Sequence, residues 1–168
     1  EDAKESALKI TPSTDFDTVK TLLLNTGDAY EFMAKYSAPS FSGAKNVTSS
    51  LSRADASAVL STRELLDIAE TLRVIRTVKE WRENCSGMVN TSLEDLFFCL
   101  IPNKYFEEKI TFAIKSEDEI NDNASSALYD IRRKIASKSA KLRENLDKII
   151  KGPTAKYLQD AIITQRDG

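Results

Sequence analysis

Between Ala124 and Lys151 the sequence runs for 28 residues without a glycine or a proline. In a helix interior glycine costs about 1 kcal/mol and proline about 3 kcal/mol relative to alanine, so their absence over such a length favours one unbroken helix. At 1.5 Å per residue that helix is about 42 Å long, more than one globule of this size needs. Leu128, Ile131, Ile135, Leu142, Leu146 and Ile149 form its apolar stripe. Leu128, Ile135, Leu142 and Ile149 keep a seven-residue spacing, and Lys138 and Asn145 interrupt the heptad at core-type positions. A helix of this kind is expected to reach out of the body that the rest of the chain forms.

That body is also helical. Apart from Gly27, the glycines and prolines fall where helical periodicity breaks: Pro12, Pro39, Gly43, Gly87, Pro102 and Gly152-Pro153. A first helix ends near Ile10. A second spans about Phe16 to Tyr36, with Val19, Leu22, Leu23, Thr26, Tyr30 and Met33 on one face. A loop and a short helix around Val47 to Ala58 precede Ser61-Thr-Arg-Glu64, which fits a capping box. The helix opened there should reach about Glu83, burying Leu65, Ile68, Ala69, Leu72, Ile75 and Val78, with Arg73, Arg76 and Lys79 on another face. Short helices over Leu93 to Ile101 and Asn103 to Ile114 follow. "KSEDEINDN" then reads as a solvated turn, with Asp122 or Asn123 capping the long helix. After Gly152-Pro153 come a small turn and the β-branched run Ile162, Ile163, Thr164, ending on the hairpin signal Asp167-Gly168.

The chain of 168 residues is 41% apolar and can bury one core. Its net charge of -2 announces neither nucleic acid nor membrane. The distribution is uneven, because residues 123 to 151 hold eight basic and three acidic groups. Arg132, Arg133, Lys134, Lys138, Lys141, Arg143, Lys148 and Lys151 could track phosphates. No aromatic interleaves with them, which favours the solvated face of an exposed helix over phosphate contact. There is no histidine, and Cys85 and Cys99 have no metal-ligand spacing, so a zinc site and a Ser-His triad are excluded within this chain. Cys99, inside "LFFCLI", is expected to be a buried structural thiol. "YFEE" contains a Phe-x-Glu triplet, the pattern of an aromatic wedge into DNA, but Phe106 is expected to pack with Ile110 and Phe112 or Ala113. No GxxxxGK[ST] phosphate loop occurs. No secretory segment is present, and the chain reads as intracellular.

Three stretches in this order, "LLDIAETLRVIR" (Leu65 to Arg76), "DNASSALYDIRRKI" (Asp122 to Ile135) and "AKYLQDAIITQRDG" (Ala155 to Gly168), resemble the amino-terminal region of the second bacterial MutS family, MutS-II. "TPSTDFDTVKTLL" is similar to its earlier segment. The resemblance implies an all-α fold. Residues 1-122 would be a helical core bundle, 123-152 a protruding lever helix, and 153-168 the beginning of a small β clamp. It further implies a piece of a longer bacterial cytoplasmic protein, stopping inside the first clamp strands, whose P-loop ATPase binds ATP and Mg and whose carboxy-terminal Smr-type domain is an endonuclease. The parent would be a homodimeric clamp on DNA, on the ribosome, or on both, acting in suppression of homologous recombination or rescue of stalled ribosomes, without a membrane partner. Within this chain no catalytic, cofactor or metal residue is implied. Lys151, Lys156 and Arg166 would be nucleic-acid contacts near the clamp, and the stripe Leu128, Ile131, Ile135, Leu142, Leu146, Ile149 the transmission element. The rival reading is a self-contained helical interaction module with a coiled-coil arm.

Overall fold

The computed structural model describes residues 2–88 and 90–158. These form seven α-helices: α1 (Asp2–Leu8), α2 (Phe16–Tyr36), α3 (Thr48–Asp55), α4 (Thr62–Asn84), α5 (Glu94–Phe98), α6 (Lys104–Ala113) and α7 (Ser126–Lys151). A two-stranded antiparallel hairpin, β1 (Ile114–Ser116) and β2 (Glu119–Ile120), lies between α6 and α7. The fold class is all-α with this small β element. Two compact units divide the chain, Glu1–Thr111 and Phe112–Gly168. The β-branched run at 162–164 and the Asp167-Gly168 turn lie outside the described residues.

In the first unit α4 is central. The capping box expected at its start is present: the Ser61 hydroxyl accepts from the Glu64 amide while the Glu64 carboxylate accepts from the Ser61 amide. Two of the four orphan amides of the first turn are thereby satisfied. Ile68, Ala69, Val74 and Val78 are buried, and Leu65, Leu72 and Ile75 are half-buried. Arg73, Arg76 and Lys79 leave that face to hold neighbouring segments. Arg73 donates to the Ser42 carbonyl in the loop before α3 at 3.3 Å, Lys79 to the Phe97 carbonyl of α5 at 3.2 Å, and Arg76 pairs with Glu107 of α6. The loop reaches Arg73 through Gly43, whose φ of 93° and approach to the Glu70 side chain leave no room for a Cβ.

The end of α4 packs against α2 and α5 through aromatics. Phe32, Trp81 and Phe97 form a triangle with centroids 5.6, 5.9 and 6.2 Å apart, separations that favour edge and tilted contacts. Phe32 is only 2% exposed. The buried face of α2 therefore runs through Ala29, Phe32 and Tyr36, and the stripe read from the sequence points elsewhere: Leu22, Leu23, Tyr30 and Met33 are exposed, and Val19 is half-buried. Three long-range hydrogen bonds fix this rotation of the helix. The Gly87 amide donates to the Tyr36 hydroxyl at 2.8 Å, and Asp28 accepts from the Ser92 amide and hydroxyl, both at 2.7 Å.

Two further expectations are corrected. Cys99 is exposed and Cys85 is the buried thiol, because α5 is a five-residue helix that turns only Phe97 inward. Phe106 lies on α6 but is half exposed, as is Phe112; Ile110 and Glu107 take the inward positions one turn apart.

In the second unit, "KSEDEI" is exposed and turns at Glu117-Asp118 as expected, but it is also closed by a tight hairpin, with buried Ile114 opposite Ile120. Asn121 accepts from the Asn123 amide to cap a 3₁₀ turn over Asp122–Ala124, and α7 itself is capped by the Ser125 hydroxyl accepting from the Leu128 amide at 3.2 Å. The expected caps are thus displaced: Asp122 instead pairs with Arg132. The long helix starts and ends within two residues of its expected bounds.

Glu107 is 9% exposed and its carboxylate receives two parallel bonds from Arg76, at 2.8 and 2.9 Å. Those bonds hold its pKa below the ordinary carboxylate value, against the opposing effect of burial. A depressed folded-state pKa contributes stability that is present above the unfolded-state value and lost as pH falls through the folded one. Glu107→Gln is accordingly expected to cost about 1–2 kcal/mol near neutral pH, with the gap to wild type narrowing below about pH 4. Urea titrations of both proteins across pH, read on the single Trp81, measure it; a gap constant from pH 7 to pH 3 would contradict the assignment.

Candidate nucleic-acid interface on the long helix

The surface of α7 sorts by angle. At 100° per residue, Leu128, Ile131, Ile135, Leu142, Leu146 and Ile149 occupy one sector, and none of the 26 residues of the helix is buried. Ile131, Ile135, Leu142 and Ile149 are exposed, while Leu128 and Leu146 are half-buried. The stripe exists as read, and most of it faces water.

The basic residues divide into two groups by their partners. Lys148 lies 2.6 Å from the Glu144 carboxylate and Lys151 lies 3.8 Å from that of Asp147, each one helical turn back. Arg132 is tied to Asp122 and to the Ile120 carbonyl, so it anchors the hairpin to the start of α7. Lys134, Lys138 and Lys141, in contrast, enter no ion pair among the described residues. In the sequence all eight form one set. Acid-to-base spacing of four residues marks Glu144/Lys148 and Asp147/Lys151, but the same spacing at Asp130/Lys134 forms no pair, so the sequence alone does not separate the two groups.

Beyond α7 the backbone turns at Gly152, where a Cβ would meet the Lys148 carbonyl oxygen at 2.5 Å. Pro153 then opens the 3₁₀ turn Pro153–Tyr157, which packs back on the end of α7. Lys151 and Lys156 thus flank one turn. The Lys156 ammonium sits 5.0 Å from the Tyr157 ring centroid, a cation–π contact at an exposed site. Arg166, the third residue read as a contact, lies outside the described residues. Neither lysine is locked by burial, so both remain able to exchange their present partners for a phosphate. Among the described residues no group of three or more His, Cys, Asp and Glu side chains converges, and no helix is long and apolar enough to cross a membrane.

Leu142, 60% exposed, should contribute little to the stability of the chain. Leu142→Ser is expected to change unfolding free energy by no more than about 0.5 kcal/mol, whereas Phe32→Ala should cost about 3–4 kcal/mol. Urea unfolding followed by Trp81 fluorescence and by helical circular dichroism measures both. A loss at Leu142 comparable with that at Phe32 would show that the stripe is covered within the chain.

No family model matches the chain. Curated relatives do, along almost all of it. Proteins named Endonuclease MutS2 from Acetivibrio thermocellus and Ruminiclostridium cellulolyticum are each 36% identical, over 166 and 165 residues, covering 97% of this chain and 21% of theirs. One from Clostridioides difficile is 37% identical over 166 residues, 94% of this chain and 20% of its own length. The chain spans about a fifth of the length of the curated relatives it matches. Identity at this level, sustained over nearly the whole chain, makes this chain a MutS2-related segment.

Proposed function

We propose that the chain is the core and lever part of a MutS2-like protein, a homodimeric, ATP-driven clamp on nucleic acid. The supporting observation is that one uninterrupted 26-residue helix without a buried residue follows a unit with its own aromatic core, within a segment that matches MutS2 proteins end to end. A helix is a stiff element, and a movement imposed at one of its ends is delivered at the other. In this reading the residues of α7 perform no chemistry. They transmit the state of an ATPase to a clamp.

ATP and Mg would be bound by other parts of such a protein, since the chain has no glycine-rich phosphate loop, and the endonuclease activity named for the relatives would likewise belong elsewhere, in a Smr-type domain. The nucleic-acid contacts proposed for this chain are Lys151, Lys156 and Arg166, beside the entry to the clamp. DNA held in this way fits suppression of homologous recombination, and structured RNA fits the rescue of stalled ribosomes, both in the bacterial cytoplasm. The self-contained interaction module keeps one observation in its favour, the exposed seam of α7, which a coiled-coil partner would also cover.

Two measurements test the reading. The open reading frame downstream of Gly168 should encode GxxxxGK[ST]; a stop codon there would favour the self-contained module. On duplex DNA, replacing Lys151 and Lys156 together by glutamine should reduce the magnitude of the slope of log K against log salt by about 1 to 2, as expected for one or two lost phosphate contacts. An unchanged slope would remove these two residues from the interface.

A further inference from the structure

We propose that α2 is a self-association surface: two copies of the chain pair antiparallel across the groove around Gly27, with Leu24 of each filling the space beside Gly27 of the other and Lys20 of each meeting Glu31 of the other. The contact lies in the first unit and does not depend on α7 being a lever.

Gly27 sits in the interior of α2, where glycine is a much poorer helix former than alanine. Its own surroundings do not require it. A Cβ built at Gly27 meets no atom within 4 Å, and its φ is not in the left-handed region that Gly43 occupies. Gly27 instead floors an open groove of about 430 Å³, whose walls include Phe16, Lys20, Leu23, Leu24 and Glu31. At 100° per residue, Lys20, Leu24, Gly27 and Glu31 fall within a sector of about 60°, turned away from the side that buries Phe32. Leu24 is 52% exposed, and Phe16 and Leu23 are more exposed still. Such a glycine leaves room for close approach by something outside the chain.

This sector is self-complementary. Lys20 with Glu31, Leu24 with Gly27, and Phe16 with Lys35 are three pairs that share one midpoint, between Asn25 and Thr26. A two-fold axis through that point, perpendicular to the helix, exchanges the members of all three pairs at once, which is the condition for an isologous contact. Cation then meets carboxylate twice, a leucine enters each glycine notch, and each Phe16 ring lies along the alkyl stem of a Lys35. Parallel copies would instead set lysine against lysine and glutamate against glutamate, with the notch empty. Lys20 enters no ion pair among the described residues, and Glu31 is held only across exposed surface, by Lys35 at 3.2 Å. One helix face is a small contact beside the roughly 1,200–2,000 Å² of stable interfaces, so the dimer is weak. The competing occupant is a segment of a longer protein, since the chain spans about a fifth of its relatives; that occupant leaves the isolated chain monomeric.

Sedimentation equilibrium of the 168-residue chain at low salt, from about 1 µM to about 1 mM, reads the association. The wild type should dimerise. Gly27→Leu, which fills the notch, should weaken the dimer about tenfold or more without lowering the urea midpoint, because the new side chain enters open space in the monomer. Lys20→Glu and Glu31→Lys should each weaken it about tenfold, through two like-charge contacts per dimer, with the effect shrinking as salt rises. An equimolar mixture of these two single variants should associate as the wild type does, since every contact between them is again of opposite sign. Leu142→Glu should leave the dimer intact. A chain that stays monomeric throughout would overturn the proposal and give the groove to another occupant. Dimerisation that survives Gly27→Leu, or that Leu142→Glu abolishes, would overturn it by moving the contact off this face of α2. A mixture no tighter than either variant alone would overturn the antiparallel pairing.

Discussion

The Arg82 guanidinium organises the first unit. It lies 5.1 Å from the Phe32 ring centroid and 5.6 Å from that of Phe97, pairs with Glu94, and donates to the Met88 carbonyl at 3.0 Å. One side chain on α4 thereby touches α2, α5 and the connection between α4 and α5. The charge is largely withdrawn from water, so it depends on these partners; a buried cation left without them costs several kcal/mol. The same device recurs along the helix, where Arg76 holds Glu107 of α6 and Arg73 holds the loop before α3. Apolar packing at Ile68, Ala69, Val74 and Val78 supplies a non-directional attraction. The arginines add direction, and they determine which face of each neighbour meets α4.

This explains what could and could not be read from the sequence. The capping box, the extent of α4 and the continuity of α7 follow from local rules and are present nearly as read, and likewise the bounds of α2 are those expected. The rotation of α2 is different. Leucine at three successive positions, Leu22 to Leu24, offers several apolar faces, and the choice among them is made by residues far away in sequence, at Gly87 and Ser92. Cys99 misled because an apolar run suggests burial, while a five-residue helix has too few turns to bury more than one side. The hairpin at Ile114–Ile120 escaped because strands of two and three residues carry no periodicity. At the candidate interface, the stripe was legible, but which lysines are held by carboxylates and which are free emerged only from their geometry.

The two units thus differ in how they are held. The first closes on its own aromatic and ionic contacts around α4. In the second, hydrogen bonds and the Asp122–Arg132 pair secure the start of α7, and the helix then continues with apolar residues in water, supported by its backbone and by exposed pairs such as Lys148–Glu144 that are individually worth well under about 1 kcal/mol. On the proposed reading such a helix is a lever whose exposed seam a partner would cover. A transmission element need not be stable alone. It must be stiff when its partner is in place.

Residue-resolved native-state hydrogen exchange on the 168-residue chain tests this contrast most directly. The account predicts the slowest amides between Ile68 and Arg82 of α4, and exchange orders of magnitude faster from about Lys138 to Ile150 of α7, where side chains are exposed or half-buried and oppose local opening little. Protection of that second stretch equal to that of α4 would contradict the account, because α7 would then be held by this chain and would have no need of anything else.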